Sequence, residues 1–322
     1  MSGLQNRTGW VPIAVRGNGP GLQVRWSWMG GERFTDPFFD TTIQAVQDRP
    51  FGGLFTHETS LSELEAWFTE SPGLYPSGFI FHMSRCGSTL VSQMLAALDE
   101  TVVISEALPI DRLACAVRIP EPDRMNWLRW MVSALGQKRS GRETKYFIKF
   151  DARCIAMLPF IRRAFPSVPW IFLYRNPEEV LVAHLRETAA AFVPGVIGDI
   201  TVVDAPMEEI HKMSGEEYAA RVLGRYCELA VQGLDELGML VNYTQLPEAV
   251  GKALSRHFKT PFSPEDLARM EAVAIRDAKR PRRKFAPDSE SKRQDATDSV
   301  REAVDRWVIP HYLELERLRT RS

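Results

Sequence analysis

Six consecutive residues, Ser84, Arg85, Cys86, Gly87, Ser88 and Thr89, join an apolar run at 78–83 to a stretch with helical character, LVSQMLAAL. Such a strand–turn–helix leaves backbone N–H groups unpaired at the helix start, where the helix dipole also favours negative charge. Gly87 lets the backbone close on a ligand without a Cβ in the way. Arg85 brings a cation, and Ser88 and Thr89 bring hydroxyl donors. The chemistry of this segment is therefore the gripping of a phosphate-like anion. A bland reading also exists, a strand–turn–helix with a chance arginine. A second cation, Arg175, ends the apolar run WIFLY and precedes Asn-Pro and a helix. Its planar guanidinium matches phosphate oxygens, and its competing use is a surface ion pair with Glu178 or Glu179. Two carboxylates also follow apolar runs: Glu106 after TVVIS and Asp151 after YFIKF. In open α/β sheets, strand ends face the ligand crevice, so either could accept a proton from a bound substrate. Asp caps helices well and Glu poorly, so the competing role of helix cap weighs more against Asp151, which places Glu106 first.

The anion loop differs from the ATPase signature GxxxxGK[ST]. Laid on this chain, that pattern puts its first glycine at His82 and its lysine at Ser88, and the cation stands earlier, at Arg85. WIFLY runs into Arg175 rather than into an acidic residue that would hold magnesium. Phosphoryl transfer depends on such a metal site.

SRCGST resembles the phosphosulfate-binding loop of sulfotransferases that use 3′-phosphoadenosine 5′-phosphosulfate (PAPS), which reads like P-[KR]-S-G-[ST]-T. The resemblance runs over about residues 78–260, loosely beyond Arg186. It implies that Ser84, Arg85, Cys86, Gly87, Ser88 and Thr89 hold the 5′-phosphosulfate, with Arg85 stabilising the leaving oxygen. It also implies that Arg175 grips the 3′-phosphate. Where the family carries a second hydroxyl donor eight residues later, this chain has Ala183. That departure implies either a weaker grip or help from another segment, and the adjacent His184 points elsewhere on a helix. LVNYTQL is similar to the family's late strand and puts Tyr243 near the adenine, or else at a packing edge. KRPRRKFAPDSESKRQ, with Lys292 and Arg293, either closes over the nucleotide phosphates or is a solvated charge run. Glu106 lies twenty-one residues after Arg85, the separation of base and loop arginine in the tyrosylprotein branch. Lys149 and Asp151 fall where small-molecule members carry Lys-Thr-His. The resemblance thus implies that Lys149 contacts the leaving oxygen and that Asp151 takes the place of a catalytic histidine.

The elements that must position these groups read as an α/β domain. Short apolar strands at 78–83, 101–106, 146–150, 170–174 and 239–243 alternate with helices, including 158–165, 177–186 and 247–258, which means a mainly parallel sheet covered on both faces. Residues 1–75 differ. They show strand-like alternation at Val24, Trp26 and Trp28, helices near 37–46 and 60–68 (the latter with Ser60 and Glu63 as a capping box), and punctuation at Gly17, Gly19, Pro20 and Gly21. The turn-rich joint 71–78 suggests an N-terminal appendage at 1–75 and a main domain at 76–322. Residues 276–293 read as a loop, and 300 to the end as one helix. The helical spacing of Trp127, Trp130 and Met131 reads as packing.

The bulk numbers narrow the classes. With 322 residues, 44% apolar and 25% charged, the chain can bury a full core without disulfides or metals. A formal net charge of −1 implies no global pull toward nucleic acid or membrane. Four cysteines without CxxC or zinc spacing fit a reducing compartment, and the first ten residues lack a signal-peptide pattern. The expectation is a three-layer P-loop fold with a small appendage, and a cytoplasmic sulfotransferase with PAPS as donor and no metal. Its acceptor would be a small molecule or peptide, with no nucleic-acid or membrane partner and a homodimer possible. Acceptor loops are expected within 186–215, with 1–75 as a second location. Rival readings are a P-loop phosphotransferase and a non-catalytic nucleotide-binding module.

Overall fold

The structure is a computed structural model and describes residues 8–17, 21–187, 192–193, 202–280 and 282–321. Gly19 and Pro20, and stretches 188–191 and 194–201 of the 186–215 segment expected to hold acceptor loops, lie outside the described residues.

An antiparallel sheet in the order β1-β2-β3 comes first, from β1 (Trp10–Arg16), β2 (Gln23–Trp28) and β3 (Thr56–Ser60). Helices α1 (Phe39–Gln47) and α2 (Ser62–Glu70) accompany it. β1 and β3 are not expected from the pattern. β1 holds Pro12 at a register irregularity, and β3 reads THETS, which is polar and sits at the sheet edge. Ser60 is not the cap of α2. It pairs with Gln23 as the last residue of β3, and Leu61 takes the cap position without a side-chain bond. The buried residues of this sheet, among them Val11, Val24 and Trp26, belong to the same apolar core as the rest of the chain.

The main sheet is five-stranded and parallel throughout, in the order β5-β6-β4-β7-β8. Its strands are β4 (Gly78–His82), β5 (Thr101–Ser105), β6 (Lys145–Lys149), β7 (Trp170–Tyr174) and β8 (Gly238–Asn242). Every residue of β4, β5 and β7 is buried, as required of strands covered by helices on both faces. The flanking helices follow in chain order. They are α3 (Ser88–Ala96), α4 (Leu108–Ala114), α5 (Glu121–Leu135), α6 (Leu158–Ala164), α7 (Pro177–Arg186), α8 (Met207–Ile210) and α9 (Gly215–Gln232). After β8 come α10 (Ser255–His257), α11 (Pro264–Ala274), α12 (Ser289–Gln294), α13 (Asp298–Trp307) and α14 (Ile309–Arg319). The architecture is α/β, a parallel sheet flanked by helices.

Three local readings are corrected. The stretch 247–258 contains a π-helical turn, Val250–Leu254, before α10. The loop expected at 276–293 contains α12 and an isolated bridge between Arg276 and Lys284. The terminal helix is two, because Pro310 supplies no N–H to continue the ladder and the chain breaks at Val308. α14 is latched to two sheet strands: Glu316 accepts from the Tyr174 hydroxyl at 2.5 Å and from Asn242 Nδ2 at 2.9 Å.

Because all five strands are parallel, their C-terminal ends share one edge. Glu106, Lys149 with Asp151, the 83–87 loop, Arg175 and Tyr243 emerge there in sheet order.

Candidate active site

The turn after β4 is built from left-handed backbone. Ser84 has φ 73°, Arg85 φ 48° and Gly87 φ 86°. Left-handed conformation costs a non-glycine residue about 1–2 kcal/mol, and backbone N–H groups in such concave turns form anion-binding nests. His82 helps hold this shape. Its Nδ1 accepts the Ser84 N–H at 3.0 Å, so Nε2 carries the proton and faces the Phe150 carbonyl oxygen at 3.1 Å and Glu106 Oε1 at 3.5 Å. Gly87 has no alternative here: a Cβ would lie 2.8 Å from the Tyr243 ring and 2.9 Å from Leu246. Cys86 contributes backbone only. Its thiol donates to the Leu173 carbonyl at 3.1 Å, and burial pushes its pKa up to about 12. The Arg85 guanidinium turns to Glu187, reaching Oε2 at 2.9 Å and the carbonyl at 2.8 Å.

Beside the turn stands an ion pair. Lys149, 1% exposed, points its ammonium at Glu106 Oε1 (2.5 Å) and at Thr89 Oγ1 (3.3 Å). Burial pushes the Glu106 carboxyl up, but the Lys149 ammonium and His82 outweigh it and hold the group well below the usual carboxylate range. The face of Phe38, from the N-terminal region, lies 5.0 Å from the Lys149 ammonium and 5.9 Å from that of Lys279. Burial, followed by repulsion from Arg85 and Lys149, lowers the Lys279 pKa. Phe38 and Lys279 therefore belong to this site, although no sequence pattern marks Phe38. Lys279 lies in the basic run already noted, earlier than the residues favoured from it.

Asp151 does what a capping aspartate does. Its Oδ1 accepts from the Arg153 N–H at 2.9 Å and from Arg153 Nε at 2.8 Å, at the start of a 3₁₀ turn, Ala152–Met157. No described hydrogen bond or ion pair joins it to Lys149.

At the end of β7, Arg175 is 5% exposed and fully engaged. It donates to Glu179 Oε2 at 2.6 Å, Asp288 Oδ1 at 3.0 Å and Ser289 Oγ at 2.9 Å, and its guanidinium carbon lies 4.2 Å from the Tyr243 ring centre. The expected pair with Glu179 thus coexists with a position at the sheet edge. Lys292 is buried and bonds Asp288 Oδ2 at 2.7 Å, so one carboxylate bridges Arg175 and Lys292. Arg293 lies 3.6 Å from Glu179. Ala183 is buried on α7 and offers no hydroxyl, whereas Ser289, at the start of α12, puts one on Arg175. His184 stacks on Phe192 with ring centres 3.7 Å apart, and burial drives its pKa down to about 3, leaving it neutral. Tyr243 touches both the turn after β4 and the end of β7, with Gly87 against its ring edge and Arg175 against its face.

Among the described residues, no group of three or more His, Cys, Asp or Glu side chains could hold a metal ion, and no helix is long and apolar enough to cross a membrane. No family model and no curated protein matches the chain. Solved structures do. The chain is similar to a sulfotransferase from Alicyclobacillus acidocaldarius at 14% identity and a TM-score of 0.43, over 77% of this chain and 97% of that one. It is similar to sulfotransferase STF9 from Mycobacterium avium at 12% identity and 0.44, over 75% and 80%. A sulfotransferase domain from the curacin biosynthetic pathway gives 13% and 0.42, over 73% and 96%.

Proposed function

We propose that this protein is a sulfotransferase that moves a sulfuryl group from PAPS to a hydroxyl or amine of a small-molecule or peptide acceptor. The observation that carries this reading is the joint arrangement along one sheet edge. An anion nest after β4 and a guanidinium after β7 meet at opposite parts of one tyrosine ring, and a buried Lys–Glu pair flanks the nest.

The residues divide the work. The nest, Ser88 and Thr89 hold the phosphosulfate, and Arg175, Lys292 and Ser289 hold the 3′-phosphate. The donor supplies the activated sulfur–oxygen bond. Transfer breaks that bond, forms one from sulfur to the acceptor atom, and sends the acceptor proton to Glu106, leaving adenosine 3′,5′-bisphosphate. Paired with Lys149, Glu106 is a weak base. Negative charge growing on the leaving oxygen draws the Lys149 ammonium away, and burial then raises the proton affinity of Glu106 at the moment it is needed. Arg85 supplies a second cation for the same charge.

Calorimetry tests the donor. Adenosine 3′,5′-bisphosphate should bind without magnesium and ATP–Mg²⁺ much more weakly; the reverse order would favour a phosphotransferase, and binding of neither would overturn the nucleotide assignment. A second measurement addresses Asp288. Its carboxylate sits on the cations that would meet the 3′-phosphate, so the ligand must displace it. The Asp288 side chain is 47% exposed, which limits its pairing to about 0–1 kcal/mol. Asp288→Asn is therefore expected to tighten bisphosphate binding about two- to fivefold at low salt. Weaker binding would mean that Asp288 orients Arg175 instead of competing with phosphate.

A further inference from the structure

Two thiols that play no part in this reaction lie together. Cys115 follows the last turn of α4, and Cys154 sits in the 3₁₀ turn after β6; their sulfurs are 3.9 Å apart, and both are free. They are unequal. Cys115 is partly exposed, whereas Cys154 is fully buried. Cys154 has one proton and two acceptors in reach, the Cys115 sulfur and Asp111 Oδ1 at 3.3 Å. Donation toward Cys115 favours the thiolate there. That bond is the main force lowering the Cys115 pKa; burial and the Asp151 carboxylate oppose it, and the Arg153 and Arg124 guanidiniums assist. Cys154 is pushed up by the same bond and by burial. Thiols that sense oxidants are accessible and next to a resolving cysteine, and this pair has both features. Cys86 and Cys227 lack the access: both are fully buried, and burial pushes both upward.

We propose that Cys115 and Cys154 form a hydroperoxide-reactive dithiol in which Cys115 attacks and Cys154 resolves. The Cys115 thiolate takes the terminal oxygen of the peroxide. The O–O bond breaks, and the alcohol or water leaves after gaining a proton. The resulting sulfenic acid is then attacked by Cys154; its S–O bond breaks, water departs, and a disulfide remains. Two thiols and one hydroperoxide become one disulfide, one alcohol and one water. The bond would tie the end of α4 to the turn after β6, bracing the two segments that follow Glu106 and Lys149.

The test uses the full chain and hydrogen peroxide. After brief exposure, a non-reducing digest analysed by mass spectrometry should contain a dithiothreitol-reversible peptide pair joining Cys115 to Cys154. Before oxidation, iodoacetamide should label Cys115 at least about tenfold faster than Cys86 or Cys227. In Cys154→Ser, dimedone should trap a sulfenic acid at Cys115, and in Cys115→Ser no cross-link should form. If Cys154→Ser fails to fold, the cross-link in the unaltered protein still decides. Oxidation spread evenly over the four cysteines, or a Cys115 sulfenic acid that persists beside a reduced Cys154, overturns the proposal.

Discussion

Glu106→Gln is expected to lower turnover by about 10²–10⁴-fold, the usual contribution of a positioned general base, while changing bisphosphate affinity little. Gln keeps the shape and still accepts a hydrogen bond from Lys149, so the nest and the nucleotide site should survive. What it loses is the ability to take a proton. Steady-state kinetics and calorimetry on the same variant separate the two effects. The idea fails if Asp151→Asn shows this behaviour and Glu106→Gln does not. The capping bonds of Asp151 to Arg153 predict instead that Asp151→Asn costs mainly stability. Glu106 also carries a pH signature. Its folded-state pKa is depressed, because Lys149 and His82 overcome the upward push of burial. Its contribution to stability is therefore fully present above its unfolded value, about 4.3, and is lost as pH falls through the lower folded value. Acid unfolding curves of the variant should be flatter than those of the unaltered protein below about pH 4.

Lys149→Met is expected to act on rate and on pH dependence together. Loss of the cation proposed to face the leaving oxygen should cost about 10²–10³-fold in turnover, as removal of one donor to developing charge does elsewhere. It also leaves Glu106 in its partly buried place without the ammonium; burial, the largest single influence on the carboxyl, is then opposed by His82 alone and is expected to raise it. The acid limb of kcat/KM should move upward, toward neutral pH. The stability sign reverses accordingly: a raised folded pKa contributes stability at low pH that is lost as pH rises through it. Urea unfolding should show a larger penalty for Lys149→Met at about pH 8 than at about pH 5. Orphaning a buried charge costs about 3–5 kcal/mol. That is a ceiling here, since the Glu106 side chain is 24% exposed and can protonate. An equal penalty at both pH values would break the link between the two groups.

The sequence was most legible where local signals agreed. Helix α7 runs over Pro177–Arg186 as expected, because Asn176 caps it and Pro177 occupies its first position. The five apolar strands were readable because burial on both faces removes polar residues from them. Helices α9 and α11 are absent from the sequence reading, although Ser214 and Ser263 cap them. The strand THETS was hidden because an edge strand tolerates polar residues. For the site, the residues at strand ends could be named because a parallel sheet aligns those ends. The partnerships could not. Glu106 meets Lys149 across two strands, Phe38 arrives from a different sheet's neighbourhood, and Ser289 reaches Arg175 from a short helix more than a hundred residues downstream. Tertiary packing alone creates these contacts.

The position of β4 at the centre of its sheet has a cost during biosynthesis. One neighbour, β6, begins at Lys145, and the other, β7, ends at Tyr174, about 90 residues beyond β4. At roughly 5–20 residues per second of translation, the fully apolar face of this strand waits several seconds on the ribosome for its partners. A nascent chain in that interval presents a sticky, unpaired ribbon, so its yield in cells should depend on chaperone capacity more than the stability of the finished fold would suggest.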